Sequence, residues 1–139
     1  MRGFEFPRLW LAGWAALLAL VATGSLMPSS GLPDVGLFPG ADKLQHAAGY
    51  ALMSGYAGML FATRRAHLLA AVGLLAFGIA IELAQGAFTA DRTPELADVL
   101  ANATGIAVGL LLARTRLAFL LQRVDRCLAG ACERGGSAG

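Results

Sequence analysis

The stretch LWLAGWAALLALVATGSLM, residues 9–27, contains no charged side chain. A helix needs about 20 predominantly apolar residues to cross the hydrocarbon core of a bilayer. The stretch therefore has the length and composition of a transmembrane helix. Three further apolar stretches follow it, and we place the predicted spans at about residues 9–27, 43–62, 67–88 and 96–113.

The composition of the whole chain agrees with this interpretation. Of its 139 residues, 57% are hydrophobic and only 14% are charged, and the mean hydropathy is +0.63. A water-soluble domain of this size needs a more polar surface. Lipid-exposed spans must also satisfy their backbone polar groups internally, which favours helices. We therefore predict an all-α, polytopic membrane protein with a four-transmembrane-helix bundle in residues 1–114 and a tail in residues 115–139.

The connectors between the apolar stretches support the same division. Prolines and glycines crowd residues 28–41, which should form no regular helix and which we place at the outer interface of the membrane. Pro94 separates the last two spans in the same way. The connector around Arg64 and Arg65 is short, so the second and third spans should form a helical hairpin.

The basic residues predict the orientation of the chain. Those on one side of the predicted topology are Arg2, Arg8, Arg64, Arg65, Arg114, Arg116, Arg123, Arg126 and Arg134. Only Lys43 and Arg92 fall on the other side, so the positive-inside rule places both termini in the cytoplasm. Cleavage of the first span as a signal peptide is the alternative, although the run is long for a leader and lacks an Ala-x-Ala site. If the first span were cleaved, the other three spans would keep the same orientation.

The tail has the pattern of an amphipathic helix that rests on the inner leaflet. Its apolar stripe consists of Leu117, Leu120, Leu121, Val124 and Leu128. Cys127 and Cys132 have the spacing of neither a redox pair nor a zinc site, so we predict reduced thiols without a function. Beyond Cys132 the chain has too few apolar residues to order itself.

Polar residues within the predicted spans are concentrated in the outer half of the membrane. Each one costs free energy unless a partner or water compensates it. They are Asp42, Lys43, His46 and Tyr50 of the second span, Glu82 and Gln85 of the third, and Asp98 and Asn102 of the fourth. Helical spacing places each group on one face, and small residues at Ala101, Gly105 and Gly109 permit close packing there. The sequence therefore predicts one polar seam shared by three helices.

These residues and their order resemble the VanZ-like family of membrane proteins. The matching pieces are DKLQHAAGY at 42–50, IELAQGAF at 81–88, Arg92, and DVLANATGIAVG at 98–109. The chain departs from the family pattern at Ala47, after the histidine, and at Ala90 and Asp91, before the arginine. The resemblance implies a bacterial inner-membrane protein of the cell envelope. The branch that gives the family its name is associated with low-level resistance to the glycopeptide teicoplanin.

Three residues of the seam are candidates for catalysis. His46 has a reference pKa of about 6.5 and could act as a general acid or base if Asp98 or another carboxylate oriented its ring. Glu82 is the deepest carboxylate and a candidate proton carrier. No activated nucleophile accompanies them. Ser54 supplies a hydroxyl, but it lacks a second histidine that could act as its base. A divalent cation bound by Asp42, His46, Glu82 and Asp98 is an alternative, but one imidazole with three carboxylates is a loose metal signature, so we predict no metal and no cofactor.

The favoured function is a noncatalytic module that binds or shields a lipid-linked envelope intermediate. Its predicted ligand-binding residues are Asp42, Lys43, His46, Tyr50, Glu82, Gln85, Arg92, Asp98 and Asn102. Lys43 and Arg92 could hold a lipid phosphate or could pair with neighbouring carboxylates. The alternatives are a membrane-embedded acid/base enzyme, a proton-linked lipid carrier, and a purely structural network that fixes helix register. The expected partners are membrane lipids and not nucleic acid, and the oligomeric state stays open.

Overall fold

The computed structural model describes residues 1–26, 41–88 and 95–136. Within these ranges the helices are α1 (Pro7–Leu26), α2 (Ala41–Leu60), α3 (Arg64–Phe88), α4 (Leu96–Leu112) and α5 (Leu120–Gly136), with a short 3-10 helix at Arg116–Phe119. The all-α prediction is therefore confirmed. The connector at residues 28–40 and Pro94, to which the sequence assigned positions, lie outside the described residues.

The starts of the helices follow from local sequence. Pro7 opens α1 at a position where its fixed φ suits a helix and its missing N–H has no intrahelical partner to lose. The hydroxyl of Thr63 accepts a hydrogen bond from the amide of Ala66 at 3.2 Å, which caps the start of α3. The hydroxyl of Thr115 accepts from the amide of Leu117 in the same way before the 3-10 helix.

The first four helices alternate in direction. The amide of Arg2 donates to the carbonyl of Leu60 at 2.8 Å, so the start of α1 lies beside the end of α2. The end of α1 lies beside the end of α3, because the side-chain amide of Gln85 donates to the carbonyl of Ser25 at 2.7 Å. We call the end that holds the N-terminal segment, the α2–α3 connector and α5 the basic end, and the opposite end the acidic end.

Two helices, α2 and α4, run parallel and pack backbone to backbone. A Cβ atom added to Gly109 would lie 2.6 Å from both the carbonyl oxygen of Ala51 and the amide nitrogen of Gly55. Gly105 faces the carbonyl of Ala47 at similarly close range. The predicted glycine line on the fourth span is therefore confirmed, and its partner is the backbone of α2.

The candidate membrane spans are fewer than the sequence predicted. Within the described residues, α1 and residues 64–87 of α3 are long and apolar enough to cross a membrane. A third candidate arises if α4 and the helical segment after it are counted together, although they are bent by 76°. On its own α4 has only 17 residues, and α2 begins with the polar run Asp42, Lys43, Gln45 and His46. The described residues therefore form an all-helical structure with two or three helices that could span a membrane by length and hydropathy.

The carboxylate of Asp125, on α5, caps the start of α1. Its Oδ2 atom accepts from the amide of Glu5 at 2.6 Å, and its Oδ1 atom accepts from the amide of Phe6 at 3.1 Å and from Nε1 of Trp10 at 2.7 Å. Only 1% of the Asp125 surface is exposed. Burial alone would raise the pKa of Asp125, but the hydrogen bonds from Trp10 and the two amides leave that pKa below its ordinary value.

The tail differs from its prediction in two respects. Its helix is held to the N-terminal segment by Asp125 and by Gln122, whose side-chain amide donates to the carbonyl of Gly3 at 3.0 Å. Its backbone stays helical to Gly136, beyond the point where the sequence predicted too little order. The apolar stripe is otherwise largely exposed, for example at Leu120 and Leu128, as a helix at a membrane surface requires.

Candidate functional site

Most of the predicted seam lies together at the acidic end. The residues placed there are Asp42, Lys43, His46 and Tyr50 on α2, Glu82 and Gln85 on α3, and Asp98 and Asn102 on α4. The alternating helix directions bring the start of α2, the end of α3 and the start of α4 to one level. Arg92, the remaining predicted residue, lies outside the described residues.

Lys43 joins α2 to α4 through carboxylates. Its Nζ atom lies 2.8 Å from Oδ2 of Asp42, 2.9 Å from Oε2 of Glu95 and 3.0 Å from Oδ1 of Asp98. An ammonium has three donors, and here each one faces a carboxylate. Of the two roles that the sequence left open for Lys43, pairing is therefore the one that the structure adopts. The side chains of Asp42 and Glu95 are more than half exposed, whereas that of Asp98 is largely buried.

His46 lies between α3 and α4. Its Nδ1 atom is 3.1 Å from Oδ1 of Asn102 and 3.9 Å from Oε1 of Glu82. A proton on Nδ1 is donated to this amide oxygen, whereas the other tautomer leaves Nδ1 as the basic nitrogen that faces both oxygens. Glu82 and Asn102 are both buried, with 4% and 1% of their surfaces exposed. The site therefore places an imidazole beside a buried carboxylate.

Tyr50 and Asn102 reach α3 at Gly78. A Cβ atom added to Gly78 would lie 2.9 Å from the hydroxyl oxygen of Tyr50 and 3.0 Å from Nδ2 of Asn102. Both side chains are almost fully buried. Because Gly78 has no side chain, the phenol of Tyr50 and the amide of Asn102 can both pack against α3 at this point.

The site is bordered by α1. Buried Gln85 ties the end of α3 to the carbonyl of Ser25. A cavity of about 220 Å³ lies between α1 and α2. It is lined by Val21, Gly24, Ser25, Gln45, His46, Gly49 and Tyr50. The imidazole of His46 therefore faces the carboxylate of Glu82 and also borders a space that a ligand could enter.

Ser54 serves helix packing. Its hydroxyl donates to the carbonyl of Ile106 at 2.9 Å, across the α2–α4 contact. Only 1% of its surface is exposed. A hydroxyl whose proton is donated to a backbone carbonyl in this way has the properties of a structural group.

Sequence reasoning did not single out two features of the site. Glu95 shares the ammonium of Lys43, and its signal was its position three residues before Asp98, one turn away at the start of a helix. The contribution of α1, through Gly24 and Ser25, had a weaker signal, since small residues at a helix end permit close approach without naming the partner.

Comparisons with known proteins add no relative. The sequence matches no family model, no curated protein and no solved structure. The resemblance given above therefore rests on the residues of the motifs themselves.

Proposed function

We propose that this chain is a VanZ-like protein of the bacterial inner membrane, in which α1 to α4 each cross the bilayer and both termini lie in the cytoplasm. The alternating directions of the helices support this topology. The basic end supports it as well, because positively charged loops are retained on the cytoplasmic side. Large apolar side chains are exposed along the bundle, such as Leu20 at 70% and Leu83 at 64%, as a lipid-facing surface requires.

The proposed spans include two helices that are poor spans by themselves. In the sequence of α2 the polar residues of the site lower the hydropathy, and α4 is short. Their backbone-to-backbone contact at Gly105 and Gly109 holds the two helices side by side, and Tyr50 of α2 and Asn102 of α4 are almost fully buried. The pair can therefore occupy the membrane where neither helix alone is suited to it.

The proposed activity is binding or shielding of a lipid-linked envelope intermediate at the outer surface. The observation that carries this proposal is the convergence of His46, Glu82 and Asn102, from three helices, beside the 220 Å³ cavity. Such a concentration of buried polar groups near a bilayer surface is costly unless it has a use. A cavity with a few convergent polar groups is the usual form of a ligand site.

The lining of the cavity favours a particular part of such a ligand. Gln45 and Tyr50 present uncharged hydrogen-bonding groups beside the imidazole of His46. Lys43 is engaged by carboxylates. The cavity is therefore better suited to the hydroxyl and amide groups of a headgroup than to a bare phosphate. Any link to teicoplanin resistance comes from the family resemblance and is part of the same proposal.

The test is to identify the lipids that the purified full chain retains. Wild type, Glu82→Gln and His46→Ala are extracted at equal folded abundance, and their lipids are compared by mass spectrometry. His67→Ala is the matched control, because His67 is the other histidine of the chain and lies at the basic end, with Nε2 2.9 Å from the carbonyl of Phe61.

We expect one polyprenyl or phospholipid species to be lost from the Glu82 and His46 variants and to be kept by the His67 variant. Unchanged lipids together with lower stability would instead support the structural network that fixes helix register.

A second candidate function is proton-linked chemistry or transport of the same lipid. The separation of 3.9 Å between His46 and Glu82 favours it, since a small movement would allow a proton to pass between the two side chains. His46→Gln distinguishes the candidates. In either case the variant should retain the lipid if the hydrogen bond to Asn102 is retained. Only a proton carrier should also lose turnover or uptake of that lipid in the variant.

A further inference from the structure

Three side chains at the acidic end have the geometry of a cation site. His46 offers a ring nitrogen, and Glu82 and Asp98 each offer a carboxylate oxygen, with all three atoms within 4.8 Å of one another. Two ligand atoms that each lie about 2.2 Å from one ion are at most about 4.4 Å apart. A small rotation of the side chains therefore brings the three atoms to bonding distance of a single ion.

The site is built by the packing of the bundle. The three ligands come from α2, α3 and α4, so helix contacts set their spacing. Asn102 adds an amide oxygen, 3.1 Å from Nδ1 of His46 and almost fully buried. Imidazole nitrogen combined with carboxylate and amide oxygens suits divalent first-row ions such as Mn²⁺ and Zn²⁺.

The charge of this end is a separate observation in favour of a cation. Among the described residues, the carboxylates at the acidic end are Asp42, Glu82, Glu95 and Asp98. The basic side chain among these described residues is Lys43, which leaves a formal excess of three negative charges. A low-dielectric site with this excess attracts a divalent ion strongly.

Lys43 does not close the site. Its Nζ atom contacts Oδ1 of Asp98, and a carboxylate has a second oxygen that can bind a metal. The cavity beside His46 gives an ion a route to the ligands. We infer that His46, Glu82 and Asp98 bind one divalent cation, Mn²⁺ or Zn²⁺, with Asn102 as a further ligand.

The experiment uses the purified full chain in detergent, stripped of metal and free of added lipid. Mn²⁺ is titrated in, and the free ion is measured by its electron paramagnetic resonance signal. We expect one Mn²⁺ per wild-type chain, displaced by Zn²⁺, and an affinity at least tenfold lower in His46→Ala and in Glu82→Gln. His67→Ala and Glu5→Gln, which make the same chemical changes at the basic end, should bind as wild type does.

Absence of Mn²⁺ binding by the wild type at millimolar concentration would overturn the inference. Equal binding by wild type and the His46 and Glu82 variants would overturn it as well. If one of those variants fails to fold, Asp98→Asn makes the test at a ligand nearer the surface. The cation site does not depend on the proposed lipid. Mn²⁺ binding without lipid retention would contradict the proposed function alone, and lipid retention without Mn²⁺ binding would contradict this inference alone.

Discussion

The two ends of the bundle hold buried carboxylates in different ways. At the basic end, Asp125 accepts three hydrogen bonds from neutral donors, two backbone amides and one indole. At the acidic end, Asp98 faces the ammonium of Lys43, and Glu82 faces the imidazole of His46. The carboxylate at the basic end has fixed, uncharged partners, whereas the carboxylates at the acidic end face an ammonium and an imidazole, which another cation can replace.

This difference separates a structural role from a binding role. Backbone amides cannot leave the start of α1, so Asp125 fixes one arrangement of α5 against the bundle. Side chains of opposite charge can be displaced by a ligand that offers the same charge. The basic end therefore holds the fold together, and the acidic end retains the capacity to bind. Three substitutions test this division.

The largest effect is expected for Gly109→Ala. The new Cβ atom would meet the carbonyl of Ala51 and the amide of Gly55 at 2.6 Å, and backbone atoms cannot rotate away. The two helices that carry most of the acidic-end residues would be pushed apart, with a loss of about 3 kcal/mol in the free energy of unfolding. An SDS-unfolding titration of the purified protein measures this loss.

Gly73→Ala is the matched control for this substitution. A Cβ atom at Gly73 has no neighbour within 4 Å, and alanine favours a helix by about 0.5–1 kcal/mol relative to glycine. The control should therefore be as stable as wild type or slightly more stable. Equal stability of the Gly109 and Gly73 variants would show that the α2–α4 contact is looser than described.

The second substitution, Asp125→Ala, removes the acceptor at the basic end. The amides of Glu5 and Phe6 and the indole of Trp10 would lose their shared partner, so we expect a loss of about 2–3 kcal/mol. Protease cleavage within the N-terminal segment should increase because that segment is released. Unchanged cleavage and stability would mean that water replaces the carboxylate fully.

The same carboxylate makes a prediction about pH. The pKa of Asp125 is lower in the folded chain than its ordinary value, which is about 3.9. Its contribution to stability is therefore complete above about pH 4 and is lost as the pH falls through the folded pKa. As the pH falls below about 4, the free energy of unfolding should decrease more in wild type than in Asp125→Asn. Parallel pH profiles of the two proteins would contradict the lowered pKa of Asp125.

The smallest effect is expected for Lys43→Gln. Two of its partners, Asp42 and Glu95, are more than half exposed, and exposed ion pairs contribute about 0.2–1 kcal/mol each. The loss of stability should therefore be smaller than the loss in Asp125→Ala. A larger loss for Lys43→Gln would reverse the division between the two ends.

Much of the fold could be predicted from short-range sequence patterns. The apolar runs of α1 and α3 are long enough to be recognised as spans by themselves. The spacing of Gly105 and Gly109 predicted a close helix contact, because residues four apart lie on one face. The same spacing brought His46, Glu82 and Asn102 into one predicted seam, which the structure places together.

The remaining features depend on long-range partners that periodicity does not reveal. Asp125 contacts Glu5 over 120 residues of sequence. The sequence feature that could have indicated this contact is the position of Asp125, a lone carboxylate four residues after Leu121 on the apolar face of the tail helix. The roles left open for Lys43 could be decided only by which carboxylates α4 brings to it. The number of spans also stays a proposal, because the polar residues that form the site lower the hydropathy of α2.

The parallel contact of α2 with α4 has a consequence for the synthesis of the protein. His46 and Asn102 are separated by 56 residues, and a ribosome adds about 5–20 residues per second, so about 3–11 s pass between their appearances. During that time the residues of α2 that contact α4 lack that partner. In the proposed topology α2 must therefore stay beside the insertion machinery until α4 arrives, and a chain truncated before Asp98 should fail to hold its second helix in the membrane.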